Sequence, residues 1–483
     1  MPSNILFILI DDMGWADLTC YGSSFYETPR LDALARRGLR FTDAYASCPV
    51  CSPTRASVMT GRYPARVGIT NWIPGNPWGK LMGVPYFHEL PRTERTIAQE
   101  LQAAGYATYH VGKWHLGDTG HGPLDFGFDV NIGGCHKGSP SSYFSPYQNP
   151  TLPDGPPGEY LTDRLTTEAI GLLQRHGPGG DQHGKPFFLN LWHYAVHTPI
   201  QSPPDLVEKY KAKAKRLGLD QQQAIVAGEH FPGLHKARQR IERRQFQSDA
   251  PYAAMMENLD TNLGRTFDAL EQLGLLEDTL IVFTSDNGGL STAEGSPTCN
   301  KPLLEGKGWM YDGGNRVCLL AAGPGVRAGA TCDEPVTSTD FFPTFLDAAG
   351  LPLKPDLHVD GVSLTPLLSG EGQLQRDAIF WHYPHYSNQG DAPSCAVRAG
   401  EFKLVEHFED GRLELFNLRH DIGETQNLAD TMPDVTRRLH GMLVAWRDEV
   451  GAKIPEPNPD YEAMLAQARP APDMMGRIPG DDR

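Results

Sequence analysis

The chain opens on an unbroken apolar run, Asn4-Ile5-Leu6-Phe7-Ile8-Leu9-Ile10, which stops at Asp11-Asp12-Met13-Gly14. A run without alternation predicts a strand buried on both faces, as in a parallel sheet covered by helices. The pattern recurs at Phe187–Trp192, ahead of His193-Tyr194-Ala195-Val196-His197, and at Leu280–Thr284, ahead of Ser285-Asp286-Asn287-Gly288-Gly289. An alternating stretch, Tyr106–Val111, ends at Gly112 and leads into Lys113-Trp114-His115. Amphipathic helices are predicted over Thr28–Arg40, opened by Pro29 and closed by Gly38, over Thr96–Ala104 with Gly105 as C-cap, over Ala253–Leu273, and over Phe341–Ala349.

Three stretches break this rhythm. Residues Gly133–Pro157, rich in Gly, Ser, Pro and Tyr, predict a long irregular loop of the kind that often carries function. Residues Asp205–Arg244 are polar and basic and read as a solvated helical insertion, with a basic rim that steers anions as the alternative. A domain boundary is placed near Gly370-Glu371-Gly372; beyond it come short strands, a helix from about Asp434 to Val450, and a tail after Ile454 that wraps the surface or is disordered. The predicted fold is α/β: a large mixed, mostly parallel sheet flanked by helices over 1–372, then a smaller α+β subdomain with a short antiparallel sheet and tail over 373–483.

The polar residues at the strand ends carry the candidate chemistry, because open α/β sheets bind ligands at the carboxyl edge. Asp11 and Asp12 are adjacent carboxylates, which repel unless a cation lies between them. Asp286 and Asn287 complete an oxygen-rich set suited to calcium, with magnesium second. In Cys48-Pro49-Val50-Cys51-Ser52-Pro53-Thr54-Arg55, a helix opening after Pro53 would set Cys51 at its N-terminus, where the dipole favours an anion. Arg55, about one turn on, is a fork-shaped donor for a tetrahedral oxyanion.

Two runs, C-S-P-T-R closing on T-G-R and G-Y-A-T…G-K-W-H, resemble the signatures of the sulfatase family; I-L-I-D-D-M-G-W and S-D-N-G-G resemble its metal motifs. The resemblance, which runs from Ile5 to about Leu428, implies an alkaline-phosphatase-like fold. It implies that Cys51 is converted by a formylglycine-generating maturation enzyme to formylglycine (3-oxoalanine), whose hydrate is the nucleophile and a metal ligand. Arg55 would partner that group, Lys113 and Lys307 would bind sulfate, His115 would deprotonate the hydrate, and His197 would protonate the leaving alcohol. His193 stands in reserve for His197; His136, Lys137 and Ser139 are substrate candidates in the long loop. His382 and His385, in H-Y-P-H-Y, are read with Arg398 as sugar contacts, with a structural loop as the alternative. Trp72, Trp78, Tyr143 and Tyr147 suit stacking on a sugar or packing. Cys48, outside the motif, is assigned to packing.

Composition narrows the partner. With 43 Lys+Arg against 59 Asp+Glu, the net charge of −16 argues against nucleic acid or an anionic membrane as partner and favours a short sulfated small molecule or oligosaccharide in a locally basic pocket. No run spans a bilayer, and the N-terminal apolar run lacks a basic flank and cleavage site, so a cytoplasmic protein is expected, or a periplasmic or secreted one if a signal was removed. Eight irregularly spaced cysteines give no disulfide framework. Two rivals stand beside a sulfatase acting on a carbohydrate: a phosphonate monoester or phosphodiester hydrolase of the same superfamily, and a non-catalytic binder of sulfated glycans with Cys51 unconverted.

Overall fold

The computed structural model describes residues 3–75 and 77–468. Among these, nine strands form the main sheet: β1 (Asn4–Ile10), β2 (Leu39–Tyr45), β3 (Ala107–Gly112), β4 (Val130–Ile132), β5 (Phe187–Trp192) and, after a separate hairpin of β6 (Ile225–His230) and β7 (Arg240–Arg244), β8 (Thr279–Ser285), β9 (Arg316–Ala322), β10 (Ala330–Cys332) and β11 (Val336–Thr337). The order is β10-β2-β9-β8-β1-β5-β3-β4, with β11 also on β2. Strands β8, β1, β5, β3 and β4 run parallel, while β9 is antiparallel to both β8 and β2.

The unbroken apolar run of β1 follows from its central place. Leu6, Ile8 and Ile10 face one core, with helices Leu161–Gln174 and Ala250–Gln272; Ile5, Phe7 and Leu9 face the other, with Cys51–Thr60, Ile97–Ala103 and Phe341–Ala348. Each such side chain, fully buried, stabilises the fold by ~1.5–3 kcal/mol. A polar residue on either face would meet hydrocarbon.

A second sheet, β12 (Ile379–Tyr383), β13 (Ser394–Ala399), β14 (Phe402–His407) and β15 (Leu413–Asn417), is antiparallel throughout. One face packs Cys395, Val397 and Leu404 against Leu439, Leu443 and Trp446 of helix Pro433–Val450. Its other face packs Trp381, Ala396 and Val405 against Tyr45, Val50 and Met310 of the main body. Buried ion pairs cross that junction: Lys403 reaches Asp312 at 2.8 Å and Arg398 reaches Asp43 at 2.6 Å.

Several boundaries differ from the sequence expectation. The basic stretch is α-helical only over Pro204–Arg216; its second half is the β6–β7 hairpin, where Ile225 pairs with Arg244. Part of its positive charge is matched by acids, Lys209 and Lys213 by Glu27, and Arg243 by Glu229 and Glu305, while Lys215, Arg216, Arg238 and Arg240 form no ion pair among the described residues. The long helix starts at Ala250 rather than Ala253 because the Asp249 side chain accepts from the Tyr252 N–H at 3.0 Å. The tail is held as far as described: Met82 donates to the Glu456 carbonyl, and Tyr461–Gln467 is helical; the rest of the expected tail, 469–483, lies outside the described residues. All eight cysteines are free thiols, and no helix among the described residues is long and apolar enough to cross a membrane.

Candidate active site

Four neighbouring parallel strands, β8, β1, β5 and β3, end at one edge of the sheet and deliver Asp286 and Asn287, Asp11 and Asp12, the His193–His197 segment, and Lys113 and His115. Backbone bonds lock these ends together: Asp286 N–H donates to Ile10, Asp11 to Ala195, and Lys113 to Trp192. Gly112 permits the last contact. Its φ is +108°, and a Cβ there would lie 1.9 Å from the Trp192 carbonyl oxygen.

Helix Cys51–Thr60 points its N-terminus at the same edge. It begins two residues before Pro53, so Cys51 is its first residue and Pro53 sits in the first turn, where its missing N–H has no intrahelical partner to lose. The Thr54 hydroxyl donates to the carbonyls of Cys48 and Val50, and Gly61 closes the helix in the left-handed region with its N–H on Ser57. The Cys51 side chain thus lies at the positive end of the helix dipole. Burial pushes its thiol up, against the pull of Lys113 and Lys307.

Three buried carboxylates each have a cation. Arg55 Nε and Nη2 reach Asp286 at 3.0 and 2.7 Å, Lys113 Nζ reaches Asp11 at 2.6 Å, and Lys307 Nζ reaches Asp12 at 2.8 Å. Arg55 Nη1 donates to the Lys113 carbonyl at 3.0 Å, so the guanidinium ties the helix to two strand ends and is wholly buried rather than facing the cavity. Asp11 is pushed up to about 8, chiefly by burial and also by Asp286 and Asp12; burial acts the same way on Asp12, but Lys307, His197 and Lys113 together hold it below the carboxylate range.

Two buried oxygens of this cluster lack a hydrogen-bond partner: Asp11 Oδ1, which has only the Arg55 guanidinium at 3.7 Å, and Asn287 Oδ1, the Asn287 amide donating instead to Asp12 at 2.9 Å. Asp11, Cys51 and Asp286 offer ligand atoms within 4.8 Å of one another, as do Asp11, Asp12 and His197. Buried oxygens without donors, among carboxylates converging on one point, fit a hard divalent cation.

The histidines are distinguished by their carbonyl partners. His115 Nε2 lies 2.7 Å from the Ile73 carbonyl, which can only accept, so Nε2 carries the proton and Nδ1 presents its lone pair to Cys51 Sγ at 3.4 Å. Burial and Lys113 hold this ring neutral, far below the usual histidine range. His197 is the reverse: Nδ1 donates to the Thr198 carbonyl at 2.7 Å, leaving Nε2 to accept from Lys307 at 3.2 Å. Burial, with Lys307 beside it, lowers it to about 3.

A cavity of about 390 Å³ opens over Cys51, His115, His197 and Lys307. Its walls include His136, Lys137 and Ser139 from the long loop, Trp72, Thr198, Glu294, Asn388 and Gln389. Four sequence-predicted substrate contacts lie elsewhere. His193 is fully buried with neither ring nitrogen partnered, because it follows β5 into the core. His382 donates through Nε2 to the Lys453 carbonyl at 2.9 Å, and His385 Nε2 bonds Thr70 at 2.8 Å, so both are structural. Arg398 is held by Asp43 at the junction of the two sheets. Nor do Tyr143 and Tyr147 form a rim: both are buried, and the Tyr143 hydroxyl holds the His197 loop through the carbonyls of Tyr194 and His197. Trp78 is outside the cavity, its carbonyl accepting from Leu234. Glu294, Asn388 and Gln389 carried no motif; the turn Ser387-Asn388-Gln389-Gly390, directly after H-Y-P-H-Y, was the available signal.

Comparison with known proteins gives a consistent result. The Sulfatase family model matches residues 3–351, and that for the N-sulphoglucosamine sulphohydrolase C-terminal region matches 304–449. The chain is 34% identical to human Arylsulfatase A, over 84% of this chain and 75% of that one, and 32% identical to human N-acetylgalactosamine-6-sulfatase, over 79% and 68%. A Sulfatase of Formosa agariphila is 30% identical over 92% of this chain and 88% of its own. Among solved structures, Ps i-CgsB in complex with k-i-k-neocarrahexaose superposes with a TM-score of 0.74 at 26% identity, covering 97% of this chain and 98% of the other.

Proposed function

The chain belongs to the sulfatase family and is a sulfuric ester hydrolase, and on that premise we propose that it removes sulfate from a carbohydrate, using formylglycine formed from Cys51 and a divalent cation, calcium ahead of magnesium. Asp11, Asp12, Asp286 and Asn287 would hold the cation, with the converted Cys51 side chain beside them. Conversion requires a formylglycine-generating enzyme. The bound cation supplies Lewis-acid polarisation of a sulfate oxygen and eases ionisation of the nucleophile.

The observation that carries the reading is the pair of lysines, Lys113 and Lys307, whose charge acts on Cys51. Lys113 and Lys307, each already tied to a carboxylate, are placed to share their remaining N–H donors with a sulfate. Arg55 takes a positioning role, since its partners are Asp286, the Lys113 backbone and, at 3.7 Å, Asp11. His115, neutral with Nδ1 facing residue 51, is a base poised for a proton on that side chain. His197 Nε2 faces the cavity side of Lys307; a bound sulfate ester offsets the lysine's field, favours protonation there, and lets the ring donate to the departing alcohol.

The carbohydrate assignment rests on a cavity walled by both an aromatic ring, Trp72, and hydrogen-bonding groups, and on the sugar ligand of Ps i-CgsB. The test is release of inorganic sulfate, followed by ion chromatography, from a panel of sulfated mono- and oligosaccharides, with aryl sulfates and matched phosphonate esters alongside. Turnover of at least one saccharide, exceeding that of the phosphonates, is expected. Preference for phosphonate esters, or tight binding without any turnover, would overturn it.

A further inference from the structure

One carboxylate faces the anion cavity without serving the cation site. Glu294 lines its wall. Its charge acts on Lys307 in the same cavity and on Lys236, yet among the described residues it forms no ion pair. Its backbone lies in the left-handed region, φ +54°, followed by Gly295 at +87°. Glu294 and Gly295 form an exposed turn. Trp309 Nε1 and the Thr292 hydroxyl both donate to the Gln389 carbonyl, at 3.1 and 2.8 Å, stitching the Glu294 segment to the Ser387–Asp391 turn. The Gln389 amide, 3% exposed, then donates to Glu294 Oε1 at 3.1 Å.

A carboxylate has acceptor capacity for about four hydrogen bonds, and Gln389 fills one. Glu294 is exposed and lines the cavity that holds Cys51 and Lys307, so acceptor capacity is left for a bound molecule. A second sulfate or a carboxylate of the substrate placed there would meet like charge, whereas a hydroxyl would find an acceptor.

We infer that Glu294, aimed by Gln389, is a specificity element that receives hydroxyl groups of the sulfated unit and rejects a second anionic group next to the scissile sulfate. The inference rests on the sulfatase reading of the same site and deepens it to a class: units that carry one sulfate and free hydroxyls.

The test is a ratio within each protein, so incomplete conversion of Cys51 cancels. Values of kcat/KM are measured for 4-nitrocatechol monosulfate and its disulfate, and for N-acetylglucosamine 6-sulfate and its 3,6-disulfate, with wild type, Glu294→Gln and Glu294→Lys. The wild type should favour the monosulfate by about tenfold or more, Glu294→Gln should shrink that preference about tenfold, and Glu294→Lys should abolish or reverse it. Gln389→Ala, which frees the carboxylate to move, should shrink the preference less than Glu294→Gln. A preference that is absent in wild type, or equal in all four proteins, overturns the inference while leaving the sulfatase reading intact. Absence of sulfate release from every ester by wild type would instead overturn the reading of the site, and this inference with it.

Discussion

The two site histidines differ in which ring nitrogen is free, and that difference assigns their work. His115 spends its proton on the Ile73 carbonyl and keeps Nδ1 open toward residue 51; His197 spends its proton on Thr198 and keeps Nε2 open toward Lys307. For His197→Ala, the expected loss in kcat is about 10²–10⁴-fold with a sugar sulfate and far smaller with 4-nitrophenyl sulfate, whose phenolate leaves without protonation. Equal losses on both would remove the proton-donor role. Arg55→Lys is predicted to cost on the order of 3 kcal/mol of stability, read by urea melts, because one ammonium cannot hold both Asp286 and the Lys113 carbonyl in a buried site. At this scale the sequence was legible wherever a charged residue directly followed an apolar strand. It was not legible for His382, His385 and Arg398, whose polar types gave no sign that the Lys453 carbonyl, the Thr70 hydroxyl and Asp43 already hold them.

At the scale of elements, placement of Lys113 depends on how closely β3 can approach β5. Gly112→Ala would drive a methyl into the Trp192 carbonyl, and its positive φ would strain any side chain. The variant is expected to melt several degrees lower and to lose sulfate release, read by thermal denaturation and by the sulfate assay; a wild-type melting curve would contradict this. Strands β1, β5 and β8 were readable from their apolar runs, which burial on both faces favours even though Asn190 of β5 is buried too. The β6–β7 hairpin was not, since Lys, Arg and Glu on a solvated ribbon match a solvated helix in pattern. Helix Cys51–Thr60 starts before Pro53 rather than after it because proline tolerates several first-turn positions.

For the whole molecule, the cation site and the buried histidines make separable demands. Removing divalent cations with a chelator is expected to abolish activity and lower Tm, with calcium restoring both, because Asp11, Asp12 and Asp286 lose the charge that offsets their repulsion. His382 titrates differently. Burial lowers it to about 4 from an ordinary 6.5, so between those values the unfolded chain takes up the proton first and stability falls on acidification. Asp260 and Asp391, each pushed up to about 6 by burial, act in the opposite sense, so the histidine is isolated only by comparison with a variant. The stability advantage of wild type over His382→Asn should therefore shrink between pH 7 and pH 5.

The central claim is that residue 51 is the nucleophile after conversion to formylglycine. Peptide mass spectrometry across Cys51, on the same sample whose sulfate release is assayed, tests it most directly. The account predicts the aldehyde in the active sample and no release from Cys51→Ala. An intact thiol in a fully active enzyme, or undiminished release by Cys51→Ala, would contradict it.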